Sequence, residues 1–278
     1  MQHITDLAIV LKTYPYQDRD RIAVCLTEQN GKITGLAKGG VNSRRFGGTL
    51  DVFSCSRVHF VQKPNAEMAR IDEATSHYEF RNLHRDFERF TAASFAAEFC
   101  LRLLESHAPS REMFINLSNF LFQLDSGMPL LLAVNAFLCK AFKALGYPPS
   151  LLRCVQCSRG AHEIAPPVAF QSRTQEGASF FWFSEAGGMV CHECSAGRFK
   201  VALEGEILLF FHKLTMTPFK ELAQEGSSSQ HLPLYRLLSD FLHHHIPGLP
   251  PSGLKSWKLL NEALMGPLSQ ESVSQPNR

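Results

Sequence analysis

The hydrophobic pattern of the chain changes its period once, near His77, and this change divides the sequence into two kinds of structure. Before it, short apolar runs alternate with polar residues and turn signals, as half-buried strands do. From residue 83 to 145, apolar residues recur every three or four positions, as on the buried face of a helix. The sequence therefore predicts an α+β protein, with a β domain first and helices after it.

Five strands are predicted within residues 1–76. Their apolar runs lie at 7–11, 21–27, 32–37, 52–61 and 68–74. The runs are separated by turn-like residues at 14–18, an Asn-Gly hairpin signal at 30–31, a glycine-rich basic stretch at 39–48 and a turn at 63–65. Five short strands without an intervening helix suit a small closed barrel, of which the OB fold is the commonest with a binding role. Periodicity alone also allows an SH3-like barrel or a plain meander.

The later part of the chain is predicted to be helical, with one loop-rich interruption. A buried helix at 130–145 ends at Gly146, which is followed by prolines, and helical patterns return at 201–214, 234–245 and 254–265. A Gly-Ser-Ser-Ser loop occupies 226–229, and the polar tail 269–278 is predicted to be disordered. The expected organisation is a barrel (1–76), a helical bundle (77–150), a cysteine-bearing element (151–198) and C-terminal helices packing on the bundle (199–268).

Composition and local motifs exclude several classes of protein. The formal net charge is only +2, so nucleic-acid binding depends on where the basic residues lie. No apolar run approaches the roughly 18–20 residues of a membrane span. The first residues lack the pattern of a signal peptide, so a reducing, cytoplasmic compartment is expected. Phosphate-loop, GxSxG and HExxH motifs are absent, and no enzymatic activity is predicted.

Four of the eight cysteines occur as two pairs, Cys154-x-x-Cys157 and Cys191-x-x-Cys194. Two-residue spacing lets both thiolates of a pair reach one ion at about 2.3 Å, and two pairs complete a tetrahedron. A redox dithiol normally stands alone beside a βαβ unit, which this sequence lacks. The pairs therefore predict one structural Zn²⁺ with no position for a catalytic water, and a hairpin through residues 180–188 between them. The remaining four are predicted to be buried and unpaired: Cys25, Cys55, Cys100 and Cys139.

The connection between the third and fourth predicted strands is basic. From residue 29 to 50 there is no acidic residue, and the basic ones are Lys32, Lys38, Arg44 and Arg45. Glycines allow close approach of the backbone to a phosphate, the cations supply charge, and Phe46 offers a ring for base stacking. A short charge cluster is equally typical of an ordinary solvated loop, and the local pattern leaves both interpretations open.

In order and spacing, three segments resemble the RecO family, and the resemblance spans about residues 5–265. The segments are the Gly35–Gly39 motif GLAKG with SRRFGGTLDVF at 43–53, LGYPP at 145–149 followed by the first cysteine pair, and FSEAGGMVC at 183–191. Two departures are Val52, where a proline is usual, and 135–137 (Asn-Ala-Phe), where some members carry basic residues linked to docking of the single-strand-binding protein tail. Lys140 and Lys143 follow one or two helical turns later.

The resemblance implies an N-terminal OB barrel, a central helical bundle and a zinc element. It further implies a non-enzymatic mediator of DNA repair and recombination that binds single- and double-stranded DNA and anneals strands coated with single-strand-binding protein. Partners implied are RecR, the C-terminal tail of single-strand-binding protein and, indirectly, RecA, in the cytoplasm with the nucleoid. The candidate DNA contacts are Lys38, Arg44, Arg45, Phe46, Arg19 and Arg21. An RNA-binding or ribosome-associated OB protein is the alternative function.

Overall fold

Five strands at the start of the chain form a sheet that closes on itself. The structure is a computed structural model that describes residues 1–64, 66–161, 180–196, 201–224, 229–245 and 253–265. The strands are β1 (Gln2–Tyr16), β2 (Asp20–Thr27), β3 (Gly31–Ala37), β4 (Cys55–Gln62) and β5 (Ala69–Tyr78). Their order is β1-β2-β3-β5-β4, and β4 pairs with β1 to complete the ring. All pairings are antiparallel except the one between β3 and β5.

Several strand ends differ from the sequence prediction, since β1 already begins at Gln2 and β5 continues to Tyr78. β1 continues through the predicted turn, because Tyr14 pairs with Ile22 and Tyr16 with Asp20. The turn shrinks to residues 17–19, with Gln17 in the left-handed region at φ 51°. β4 begins three residues later than predicted, at Cys55, because the residues before it belong to the preceding loop. The Asn-Gly hairpin between β2 and β3 is confirmed, with Thr27 opposite Gly31.

Closure of the sheet depends on a short parallel pairing. Only three residue pairs join β3 to β5, from Gly35–Ala69 to Ala37–Ile71. A Cβ at Gly35 would lie 2.6 Å from the Cγ1 and Cδ1 atoms of Ile71, so the missing side chain makes room for the isoleucine. Alternate residues of the strands point inward and fill the core, as the period-two pattern predicts. The core includes Val10, Cys25, Ile33, Val58, Phe60 and Ile71.

A buried carboxylate fixes the hairpin between β2 and β3. Asp6 is 4% exposed, and its Oδ2 accepts hydrogen bonds from the backbone N–H of Gln29 and Asn30 and from the Asn30 amide at 3.0, 3.2 and 2.7 Å. A charged acceptor strengthens such bonds, and burial requires that the charge be satisfied. Asp6 therefore holds one end of the sheet in a defined conformation.

The longer helices lie where the period of three to four residues predicted them, whereas the four-residue helices at 192–195 and 219–222 were not predicted. In chain order, the helices are α1 (Phe87–Leu103), α2 (Arg111–Asp125), α3 (Leu130–Ala144), α4 (His192–Ser195), α5 (Gly205–Met216), α6 (Phe219–Leu222), α7 (His231–His245) and α8 (Lys255–Met265). A two-stranded sheet, β6 (Phe180–Phe183) and β7 (Gly188–Cys191), precedes α4. No helix among the described residues is long and apolar enough to cross a membrane. Asn65, residues 226–228 of the predicted loop and the tail 269–278 lie outside the described residues.

The chain divides into two compact units, Met1–Leu130 with Gly248–Arg278, and Leu131–Pro247. In the first unit, Asp86 caps α1 by accepting from the Arg89 N–H, and Glu98 accepts from the backbone N–H of Ser256 at the start of α8. In the second unit, α3 is buried almost all round, as its uniform apolar sequence predicts. Its Asn135 donates to the carbonyl of His231 at 2.8 Å.

We expect Gly35→Ala to destabilise the closed sheet by about 1–3 kcal/mol, the usual cost of overpacking. In an Ile71→Ala background the same change should cost much less, because the atoms that meet the new Cβ are gone. Urea denaturation of the parent, the two single variants and the double variant gives the coupling free energy between Gly35 and Ile71. Additive effects would mean that Gly35 and Ile71 do not share the space at the closure.

Candidate functional site

The connection between β3 and β4, residues 38–54, is here called the basic loop, and it is a series of turns anchored on the closed sheet. Gly39 N–H donates to the Asp20 carboxylate at 2.8 Å, and Val41 N–H donates to the Arg19 carbonyl at 3.0 Å. At the other end, the Ser56 hydroxyl donates to the Thr49 carbonyl at 2.8 Å. The loop is therefore held against the β1–β2 turn and against the start of β4.

Phe46 is buried, and the prediction that it stacks on a base is wrong. Its side chain is 2% exposed and lies in the core of the closed sheet together with Leu50. A ring in that position has no face available to a base. Phe46 serves instead to hold the basic loop on the sheet, because burying a phenylalanine is worth roughly 1.5–3 kcal/mol.

The glycines of the loop serve its turn geometry. Gly39 and Gly48 have φ of 66° and 87°, a region that residues with a Cβ rarely adopt. At Gly40, a Cβ would lie 2.9 Å from the Ala37 carbonyl oxygen and 3.0 Å from the Cβ of Arg21. These positions need glycine for the chain's own packing, whatever binds the loop.

Three predicted contact residues of the loop, Lys38, Arg44 and Arg45, are exposed, as is Arg19 in the adjacent turn. Contacts within the loop orient the Arg45 side chain. Its Nε donates to the Ser43 hydroxyl at 3.4 Å, and its guanidinium carbon lies 5.6 Å from the centroid of the Phe46 ring. Among the residues that the structure describes, no ion pair is seen for Lys38, Arg44 or Arg19. The structure thus brings four exposed cations to one region of the surface, with Asp18 and Asp20 on either side of Arg19.

Two other basic residues have internal partners. Arg21 forms an ion pair with Asp51 at 2.7 Å, which ties β2 to the basic loop. Lys32 Nζ donates to the Leu101 carbonyl at 2.6 Å near the end of α1, where a cation is favourable, and burial lowers the pKa of its ammonium group. Arg21 is therefore a positioning residue of the loop, and Lys32 belongs to the packing of α1.

Sequence reasoning missed two exposed aromatic residues beside the loop. Tyr14 and Tyr16 are 39% and 40% exposed and project from the last residues of β1. Both lie within the turn that the sequence predicts at residues 14–18. The signal that would have found them is their separation by two residues, which places both rings on one face of a strand.

The four paired cysteines meet in the second unit. The sulfur atoms of the four cysteines lie within 4.8 Å of one another: Cys154, Cys157, Cys191 and Cys194. The distance between the sulfurs of Cys157 and Cys191 is 3.9 Å. Cys154 and Cys191 are buried, and the other two are half-buried. Four sulfurs at such separations can hold one metal ion. The predicted hairpin between the pairs is confirmed by β6 and β7, whereas residues 162–179, with His162, lie outside the described part.

A backbone N–H and an arginine side chain donate hydrogen bonds to the cysteine sulfurs. Cys191 N–H donates to Cys154 Sγ at 3.4 Å, and Arg159 Nε donates to Cys157 Sγ at 3.5 Å. Hydrogen bonds from the Arg159 side chain and backbone, with smaller contributions from the Cys154 and Cys194 thiols, lower the pKa of the Cys157 thiol to about 6. Arg159 also pairs with Glu193. The Arg159 donors favour the thiolate form of Cys157, which is the form that binds a metal, whereas the hydrogen bond with Cys191 and burial raise the pKa of the Cys194 thiol to about 12.

The hairpin that carries the second pair is anchored on α7. The Trp182 indole N–H and the Ser184 hydroxyl both donate to the Asp240 carboxylate, at 2.6 and 2.7 Å. Gly187 has φ 62°, and a Cβ there would lie 2.8 Å from the Phe241 ring. His245 is hydrogen-bonded to the Ser184 carbonyl, so the last of three consecutive histidines, at 243–245, has a structural partner.

The four single cysteines are buried, as predicted. Burial raises the pKa of the thiols of Cys25, Cys100 and Cys139 to about 12, and that of Cys55 to about 11. A thiol with such a pKa stays protonated near neutral pH and does not react readily. The paired and single cysteines are therefore chemically distinct.

Fold and sites together define a protein with a small closed sheet that exposes a basic loop, followed by helices that carry a four-cysteine group suited to a metal ion. The family described as Recombination protein O N terminal matches residues 1–80, and the family described as Recombination protein O C terminal matches residues 84–255. The chain therefore belongs to the RecO family. Membership supports a role in DNA repair and recombination.

Curated relatives agree with this assignment. The DNA repair protein RecO of Myxococcus xanthus (strain DK1622) is 30% identical over 254 residues, which cover 88% of this chain and 93% of that protein. That of Geobacter metallireducens is 33% identical over 203 residues, covering 73% and 77%. That of Anaeromyxobacter sp. (strain K) is 30% identical over 198 residues, covering 71% and 72%.

Because Phe46 is a core residue, Phe46→Ala should destabilise the protein by about 3–5 kcal/mol. The matched control is Val41→Ala in the same loop, at a side chain 39% exposed, which should stay within about 0.5 kcal/mol of the parent. Urea denaturation followed by circular dichroism gives both values. Unchanged stability of Phe46→Ala, with DNA binding alone weakened, would restore the stacking role.

Proposed function

We propose that this protein is a recombination mediator that binds DNA through the closed sheet and the basic loop. The observation that carries the proposal is the group of exposed cations, Lys38, Arg44, Arg45 and Arg19, on ordered backbone at one region of the sheet. Cations of this kind bind phosphates by releasing condensed counterions, without reading base sequence. Such binding suits a mediator, which must act on DNA of any sequence.

The closed sheet is proposed to be an OB barrel. An OB barrel has five strands and binds oligonucleotides on the outer face of its second and third strands and with the loops between strands 1–2 and 4–5. In this chain the first of those loops contains Arg19, and the basic loop is bonded to it. The DNA strand would thus cross β2 and β3 between the turn at 17–19 and the basic loop.

Annealing follows from the same chemistry. Two complementary strands repel one another through their phosphates, and a protein that neutralises phosphates without stacking specificity for one sequence lowers that repulsion. We propose that the protein anneals complementary strands coated with single-strand-binding protein and, with RecR, assists the loading of RecA. It binds double-stranded DNA as well, through the same cations. These roles need no catalytic residue, and we propose that the protein is not an enzyme and acts in the cytoplasm, at the nucleoid.

The cysteine group is proposed to hold one structural Zn²⁺. In a tetrahedral zinc site with Zn–S bonds of about 2.3 Å, neighbouring sulfurs are about 3.8 Å apart. The separation of 3.9 Å between the sulfurs of Cys157 and Cys191 fits that value. Four thiolates close the shell, so the ion would join the β6–β7 hairpin to the segment 151–161 and contribute folding free energy.

Replacing Lys38, Arg44 and Arg45 with alanine should weaken single-stranded DNA binding at low salt for every base sequence. Each phosphate contact on a single strand contributes a slope of about −0.7 to the plot of log K against log salt, so the triple variant should flatten the slope by roughly 2. Titration of fluorescent oligonucleotides at five salt concentrations measures both effects.

The matched control removes three exposed cations that lie outside the basic loop: Lys220, Arg236 and Lys258. It lowers the net charge equally and should leave the slope nearly unchanged. A folded triple loop variant with parental affinity and slope would contradict the proposal and direct the search for the DNA site to the helices. Preference for RNA over DNA oligonucleotides of the same sequence would favour an RNA-binding function instead. An annealing assay on strands coated with single-strand-binding protein tests the mediator role itself.

Purified protein should contain one zinc per chain. Titration of the native protein with a thiol reagent should find no reactive cysteine while zinc is bound, and four after zinc is removed with a strong chelator. The count should stop at four because the four single cysteines are buried and protonated. Cys154→Ser should lose the zinc and lower stability and solubility, whereas Cys139→Ala should retain the zinc. Protein without zinc by elemental analysis, and with four freely reactive thiols, would exclude the site.

A further inference from the structure

Two tyrosines form an exposed pair on the outer face of the closed sheet. Tyr14 and Tyr16 are 39% and 40% exposed, and the strand alternation that turns Thr13 and Pro15 to one side turns both rings to the other. Their partners across the β1–β2 ladder are Ile22 and Asp20. The pair is therefore part of the same strand surface that continues onto β2 and β3.

The pair lies beside the basic loop. Tyr16 stands opposite Asp20, and the Asp20 carboxylate accepts the backbone N–H of Gly39, the residue after Lys38. On the other side, the Lys12 ammonium lies 5.5 Å from the centroid of the Tyr14 ring. Aromatic faces flanked by cations are the two elements from which sequence-tolerant sites for single strands are built.

The spacing of the rings distinguishes single strands from duplex. Residues two apart on a strand are separated by about 6.8 Å, whereas successive nucleotides of a DNA duplex are about 3.4 Å apart along the axis. Two neighbouring bases can lie on the two rings only if they separate from each other. A single strand does so at small cost, and a duplex must lose pairing and stacking first.

We propose that Tyr14 and Tyr16 form a stacking platform for two neighbouring bases of single-stranded DNA, and that this platform raises the affinity for a single strand relative to duplex. The proposal rests on the proposed DNA-binding function and adds the part that recognises bases. The cations of the basic loop bind phosphates of either form of DNA, and the rings add affinity for the single strand alone.

The competing role for the rings is to cover the sheet. Ile22 is the cross-strand neighbour of Tyr14 and is only 4% exposed, so covering Ile22 is the alternative use of the Tyr14 ring. A covering role depends on apolar area and tolerates leucine. Stacking depends on a planar ring, so it tolerates phenylalanine and not leucine.

The test compares the Tyr14→Leu/Tyr16→Leu and Tyr14→Phe/Tyr16→Phe double variants with the parent, using a mixed-sequence oligonucleotide and its duplex. We expect the leucine variant to bind the single strand roughly 10- to 100-fold more weakly, while duplex affinity changes less than about threefold and the salt slope is kept. The phenylalanine variant should stay within about threefold of the parent for both. Tyr147→Leu, at a tyrosine 54% exposed in the second unit, is the matched control and should change neither affinity.

The proposed stacking platform would be overturned if the leucine variant weakened single-strand and duplex binding equally. It would also be overturned if the leucine variant bound both forms as tightly as the parent. Loss of binding in the phenylalanine variant would overturn it too, because the ring is retained there. These failures leave the proposed function intact as long as the parent binds DNA with a slope that the loop cations set. A parent that binds neither form of DNA would refute the proposed function itself.

Discussion

Three residue pairs between β3 and β5 close the first sheet, and the rest of the first unit depends on that closure. Without it, β3 and β5 would each present an open edge of unpaired N–H and C=O groups, and the core between them would be open to water. The parallel pairing also dictates the course of the chain. Since β5 lies between β3 and β4 in the ring, the chain must pass β5 to go from Ala37 to Cys55, and residues 38–54 provide that crossing.

The crossing explains why one loop has two opposite characters. Its inner side is apolar, with Phe46 and Leu50 in the core, so the backbone is held at defined places. Its outer side is basic, and Arg21, bound to Asp51, joins it to β2. Charges on an anchored backbone are already arranged before a phosphate arrives, which spares the ordering entropy that a mobile loop would lose on binding.

Periodicity predicted the five strands, the longer helices and their order, because burial of alternate or every third to fourth residue is a local property of the sequence. The cysteine site was predictable for a related reason, since its ligands are defined by spacing. The predicted placements of Phe46 and Tyr16 differ from the structure for the opposite reason. Residues far along the chain decide whether the Phe46 ring points into the core. They also decide whether β1 continues past Pro15 to Tyr16. The β1–β2 register and the core under the loop hold that information, and no local pattern does.

The two tryptophans of the chain fall one to each compact unit, Trp182 in the second and Trp257 in the first. Trp182 is 6% exposed, and its indole donates to Asp240 beside the cysteine hairpin, whereas Trp257 is half-buried on α8. The protein thus carries two native fluorophores in different surroundings. Once either tryptophan is replaced by phenylalanine, the remaining emission reports on a single unit, and events at the cysteine group can be followed in the intact chain without an added label.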